Sequence, residues 1–202
     1  DGHRETVYSI QAYDAMRAGA CTEKMENELV SYLREGAFLF PYGISSISAE
    51  DEEHYEVNDT DWSGGGIYIG DGAEIAMTMY ESGRPELGFD ILKRFFWLGR
   101  HLPYYPQEHY VDRPAVPAHK RANEISGLTG AQTILYGMAG FDHRIDGSLW
   151  IDPHFPENSS FSAAGYGWKN KTIDLFYNKG QIRILLDGKE LYSGNQKKIR
   201  IL

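Results

Sequence analysis

The chain is short of cysteine, of net positive charge and of long apolar runs. One cysteine, Cys21, stands among 202 residues. That excludes an internal disulfide framework and a cysteine-based zinc cluster. The net charge is −9, so the basic stripe that a phosphate backbone demands is missing, and nucleic acid is not expected as a partner. No apolar run approaches the length of a membrane-spanning helix, so no membrane partner is expected either. The chain opens at Asp1, with neither methionine nor signal peptide, which fits a processed chain or a piece of a longer one. The second is the expectation here.

What is abundant is aromatic: 14 Tyr, 9 Phe and 4 Trp. Aromatic rings fill cores, and they also stack on the apolar C–H faces of sugars. The composition is 42% hydrophobic and 24% charged, that of a globular chain with a real core.

Helical spacing dominates the first two thirds. Val7, Ile10, Tyr13 and Met16 predict one helix, stopped at Gly19. Thr22 caps a second, with Met25, Leu29, Val30 and Leu33 on one face and Gly36 as its end. Phe38 to Ser48 reads as an extended loop or short strand. Ala49 to Asp61 is acidic and reads as a solvated loop, since calcium binding would require a glycine placement that is absent.

Trp62-Ser63-Gly64-Gly65-Gly66 then lets the backbone approach a neighbour or a ligand closely. It lacks the Gly-Lys-Ser/Thr ending of a phosphate loop and the preceding buried strand of a dinucleotide fold. Ile67 to Tyr80 predicts a small-residue helix, and Ser82-Gly83-Arg84-Pro85 stops it and starts the next. A long helix is predicted from Ala122 to Ala139, despite Gly127, Gly130 and Gly137. After Gly140 the period changes to that of strands, at Ser148–Ile151, Thr172–Tyr177, Gln181–Leu186, Lys189–Tyr192 and Ile199–Leu202. Asp187-Gly188 reads as a two-residue hairpin turn and Asn178-Lys179-Gly180 as another.

Between two helical segments lies Tyr104-Tyr105-Pro106-Gln107-Glu108-His109-Tyr110-Val111-Asp112. A carboxylate among tyrosines on a loop presented by a scaffold is a common construction of sugar-cleaving sites.

Four stretches resemble the six-hairpin glycosidases, the (α/α)6-barrel group of glucoamylases, trehalases and disaccharide phosphorylases. Trp62 to Tyr68, with Met77 to Leu92 behind it, is similar to their glycine-rich turn and following helices. Glu108-His109-Tyr110-Val111-Asp112 resembles the glucoamylase loop, its aspartate displaced by one position. Ala122 to Ala131 resembles the inner helix that follows, and Leu149-Trp150-Ile151-Asp152-Pro153 the closing β segment.

The resemblance implies a mainly α chain with a C-terminal β unit: part of an (α/α)6 toroid at 1–139, then a small antiparallel sheet or sandwich at 140–202. About five helical segments are read where a full barrel has twelve, so the rest of the barrel is an expected partner. It implies a glycoside hydrolase of inverting type, with Glu108 as general base. Trp62, Tyr105 and Tyr110 would line the sugar site, and His109 would donate to a sugar hydroxyl. Asp71 and Glu124 are the other acids on its helices. No cofactor or metal is expected. A glycoside phosphorylase, a polysaccharide lyase and a non-catalytic carbohydrate-binding module are the rival readings. An exported chain, extracellular or periplasmic, is expected, with acceptor triplets beginning at Asn58, Asn158 and Asn170.

Overall fold

The computed structural model describes residues 6–102, 104–119, 121–195 and 197–202, and the side chain of Glu124 lies outside the described ones. The chain divides into two compact units, Asp1–Ile134 and Leu135–Leu202.

The toroid expectation is overturned. Among the described residues there are five α-helices, one π-helical segment and eleven strands in four sheets, a mixed α/β chain rather than a helical ring. The first predicted hairpin shrinks to α1 (Ala12–Arg17) and α2 (Glu23–Ser31). At about 1.5 Å per residue these span roughly 9 and 14 Å, too short for a toroid wall. Strand pairing takes the residues before α1: Ser9 bridges Ile47, Ile10 N–H donates to Ser46 O, and Ser48 N–H donates to Tyr8 O. The last predicted helix also divides, into α5 (Glu124–Gln132) and a π-helical segment (Thr133–Met138).

One helical hairpin remains, α3 (Ile69–Glu81) and α4 (Pro85–His101). It forms as its residues dictate. Pro85 sits in the first turn of α4, where its missing N–H removes no helical bond. The reversal is closed by Gly83 at φ +75. Ala73, Ala76, Met79 and Tyr80 of α3 face Ile91, Leu92, Phe95 and Leu98 of α4 as the core. Gly88 permits the approach, because a Cβ there would stand 3.0 Å from Ala76 O. From α5's C-cap, Thr133 Oγ1 donates toward Ala73 O at 2.8 Å and Thr129 O at 2.9 Å. β1 (Leu39–Phe40) and β2 (Gly43–Ile44) add a small antiparallel ladder.

The acidic stretch is only partly solvated. Asp51 is buried and accepts from Tyr8 N–H at 2.9 Å and His54 N–H at 3.2 Å, with His54 Nδ1 at 2.8 Å. The glycine triplet packs against this loop. Gly65 N–H donates to Glu56 O and Gly66 N–H to Asp59 O, and a Cβ on Gly66 would stand 2.2 Å from the Thr60 Cα. Its close approach is to a neighbouring loop.

The second unit is two antiparallel sheets. One is a sequential meander of β7 (Ser160–Trp168), β8 (Lys171–Asn178), β9 (Gln181–Leu186) and β10 (Lys189–Gly194). The other holds β5 (Phe141–His143), β6 (Leu149–Ile151) and β11 (Ile199–Arg200), with β6 central. Ile173, Leu175 and Tyr177 alternate inward along β8, as period two requires. Phe141 stacks on Tyr166 at 4.1 Å and Phe155 on Tyr177 at 4.5 Å. Three tight turns carry paired positive φ values, at Lys169–Asn170, Lys179–Gly180 and Asp187–Gly188, the mirror-image turns that match strand twist.

Two glycines of the first unit separate contact from propensity. Gly66→Ala forces a methyl into backbone, so a loss of about 1–3 kcal/mol or more is expected in a urea melt. Gly72→Ala meets only Phe95 at 3.7 Å inside α3 and is expected to gain about 0.5–1 kcal/mol. Equal effects at both positions would refute this assignment.

Candidate functional site

The tyrosine-rich loop is clamped rather than free. β3 (Ile67–Tyr68) pairs antiparallel with β4 (Glu108–His109), so Tyr68 faces Glu108 in register and Ile67 faces His109. Ile69 N–H donates to Gln107 O at 3.0 Å, fixing the loop to the first residue of α3. On its other side Gln107 N–H donates to Arg121 O at 2.7 Å, and Asn123 N–H to Tyr105 O at 2.8 Å. Pro106, Pro114 and Pro117 keep the segment out of helix, which leaves its carbonyls and N–H groups for these bonds.

Neighbouring strand residues point to opposite faces, so Glu108 and His109 part company. His109 is 1% exposed and turns into a small apolar cavity lined by Ile44, Ile67, Ile69, Ile91 and Phe95. Its Nδ1 lies 3.0 Å from Tyr110 O, which places the proton there, and its Nε2 is buried without a partner among the described residues. Burial pushes its pKa down to about 4. The ring therefore offers no nitrogen to a sugar hydroxyl in this arrangement.

Glu108, 5% exposed, meets a residue that spacing did not single out. His119 Nε2 stands 2.7 Å from Glu108 Oε1, and the imidazole is 36% exposed. Arg121 N–H donates to His119 Nδ1 at 3.3 Å, which fixes the neutral tautomer with its hydrogen on Nε2. That hydrogen is given to Oε1, and Oε2 has no hydrogen-bond partner among the described residues. The arrangement is an oriented carboxylate whose imidazole partner meets solvent.

The other predicted site residues scatter. Tyr105 stacks on Phe95 at 5.4 Å and lies against Gly99 and Gly127, a packing role. Tyr110 carries the Arg113 guanidinium 3.6 Å above its ring. Arg113 in turn holds both Asp112 oxygens, at 2.8 and 3.0 Å, and Asn58 Oδ1 at 3.0 Å. Trp62 is 60% exposed and has no ring contact among the described residues. Asp71, in the first turn of α3, lines a separate small cavity with Asp14 and Glu74; burial, then these two carboxylates, raises its pKa to about 7. Glu124 lies outside the described side chains. Among the described residues no group of three or more His, Cys, Asp or Glu forms a metal site, and no helix is long and apolar enough to cross a membrane.

His119 could not be found by motif. It lies in a proline-broken stretch whose sequence has no period, and it reaches Glu108 only because Pro106 bridges Ala122 and folds the loop back.

Two shifted titrations contribute to the pH response with opposite signs. An unfolded chain protonates His109 near pH 6.5, while the folded chain resists to about 4, so stability falls as pH drops through that window. His109→Asn keeps a donor for Tyr110 O and is expected to flatten the slope of melting temperature between pH 6.5 and 4.5; an unchanged slope would overturn the burial account. Asp71 has the opposite sign. The folded chain holds its proton up to about pH 7 against 3.8 when free, so stability is lost as pH rises between those values. Asp71→Asn is expected to raise the melting temperature at pH 8 and to change it little at pH 4.

No protein-family profile matches the chain, and no curated protein matches it in sequence. Its fold is similar to that of a solved chain described as a sialidase, with a TM-score of 0.78 and 16% sequence identity. The similarity covers 96% of this chain and 20% of that one, so this chain spans about a fifth of its neighbour's length. At that identity the likeness shows the fold alone. It replaces the resemblance to the six-hairpin glycosidases, which the strand-rich architecture does not support.

Proposed function

We propose that this chain is part of a carbohydrate-processing protein in which Glu108 is the acid–base carboxylate acting on a glycosidic bond. One observation carries the reading: a carboxylate 5% exposed, held through one oxygen by His119 on a loop that strand pairing fixes to α3. A carboxylate oriented through one oxygen, with the other left to exchange a proton, is what acid–base chemistry at a glycosidic bond requires. The fold likeness to a chain described as a sialidase supports the same substrate class.

In this reading His119 orients Glu108 by donating to Oε1, while Oε2 takes a proton from water or returns one to a leaving oxygen. Whether inversion or retention follows depends on a second carboxylate, at roughly 6.5–9.5 Å for the first and 5–5.5 Å for the second. An extracellular or periplasmic chain goes with this reading.

The test is turnover of a panel of 4-nitrophenyl glycosides and an aryl sialoside by the full protein. Glu108→Gln is expected to lower kcat on the order of 10²–10⁴-fold with an unchanged thermal melt. Retained turnover in that variant removes Glu108 from the chemistry. A wild-type protein that cleaves none of the panel but binds its sugars would make the chain a binding module.

A further inference from the structure

An aromatic-lined cleft of the first unit lies apart from Glu108. It has a volume of about 270 Å³ and lies between the start of α1, the body of α2 and the turn that follows it. Tyr13, Leu29 and Phe38 are among the residues that line it, with the Tyr13 and Phe38 rings edge to face at 5.9 Å. Tyr8 and Tyr32, 45% and 36% exposed, stand with ring centroids 6.3 Å apart and planes at 63°. The packing of this cleft uses one phenol only: Tyr13 donates to Leu29 O at 2.7 Å. Those of Tyr8 and Tyr32 have no hydrogen-bond partner among the described residues. Ser9 accepts from Gln11 N–H at 3.4 Å and keeps its own hydrogen to give.

Charge narrows what this cleft can take. Among the described residues no acidic or basic side chain lines it, so these residues offer an anionic or cationic ligand nothing in return for its lost hydration. Its size, at the lower end of ligand pockets, suits one ring rather than a chain. Aromatic faces with phenols and a hydroxyl at their edge match a ring that is apolar on its faces and hydroxylated around its rim. We infer that this cleft is a non-catalytic subsite for a single neutral pyranose, separate from the Glu108 carboxylate. Tyr8 and Tyr32 hold the ring, and Ser9 donates to one of its hydroxyls.

Amide chemical shifts of the full chain, titrated in turn with methyl β-D-glucopyranoside, methyl β-D-galactopyranoside and N-acetylneuraminic acid, test this. Saturable shifts at Ser9, Ala12 and Leu29 with at least one neutral glycoside, at millimolar Kd, are expected, and at least tenfold weaker response to the anionic sugar. Tyr8→Ala with Tyr32→Ala should weaken neutral binding at least tenfold. Tyr8→Phe with Tyr32→Phe keeps the rings in place and should weaken it several-fold, so an unfolded alanine variant does not end the test. Glu108→Gln should bind as the wild type does, which separates this site from the catalytic reading. Shifts at these amides that are absent, survive both tyrosine pairs, or favour the anionic sugar overturn it.

Discussion

The pairing of Ile67–Tyr68 with Glu108–His109 is the contact on which the first unit depends. It is two residues long, yet it sets three things at once. It supplies the strand that leads into α3, and so the register of the helix whose small residues form the core. It ties the proline-broken loop to that helix through Ile69 and Gln107. By the alternation of a strand, it sends one polar side chain into the core and its neighbour toward His119. A slip of one residue would exchange them, burying a carboxylate among isoleucines, and the cost of an unpaired buried charge stands against that register.

The two polar side chains of that strand are handled by opposite means. His109 is kept neutral by burial and gives its proton to a backbone carbonyl. Glu108 is nearly as buried but has an imidazole donor within 2.7 Å. The first arrangement disfavours charge, and the second orients a carboxylate. This difference, more than the presence of a carboxylate, is why the proposal rests on Glu108. Arg113 shows a third arrangement nearby, where a guanidinium bound to Asp112, Asn58 and the Tyr110 face ties the loop to the acidic stretch.

Local signals were the legible ones. Pro85 and Gly83 mark the α3–α4 reversal, Thr22 accepts from Met25 N–H as a cap, and Asp187-Gly188 makes its turn. What misled was helical spacing at the first helix and at the 122–139 run. Val7 and Ile10 sit at helical spacing, but pairing of Ser9 with Ile47 takes the residues between them, a tertiary preference that no window of sequence contains. β7 was invisible for a different reason. Ser160 to Trp168 is rich in Ser, Ala and Gly, and its alternation is broken by a bulge at Ala163–Tyr166 that Gly165 accommodates at φ +76. The same limit hid His119. Glu108 could be read as a candidate from its tyrosine company, but its partner is set by a fold-back with no signature of its own.

The order of the meander has a consequence for how the chain reaches its native state. Each of β7, β8, β9 and β10 pairs with its neighbour in sequence across a two-residue turn, so every ladder in that sheet closes a minimal loop. Such hairpins form on a timescale of about 1–10 μs, and little chain entropy is lost before the first contacts form. The first unit has short local pairings too, in β1–β2 and α3–α4, but its assembly does not rest on them. Its governing pair joins residues about forty positions apart, and the search for that contact slows the assembly of everything built on it. Contact separation thus favours early closure of the second unit's sheet and late locking of the loop that carries Glu108.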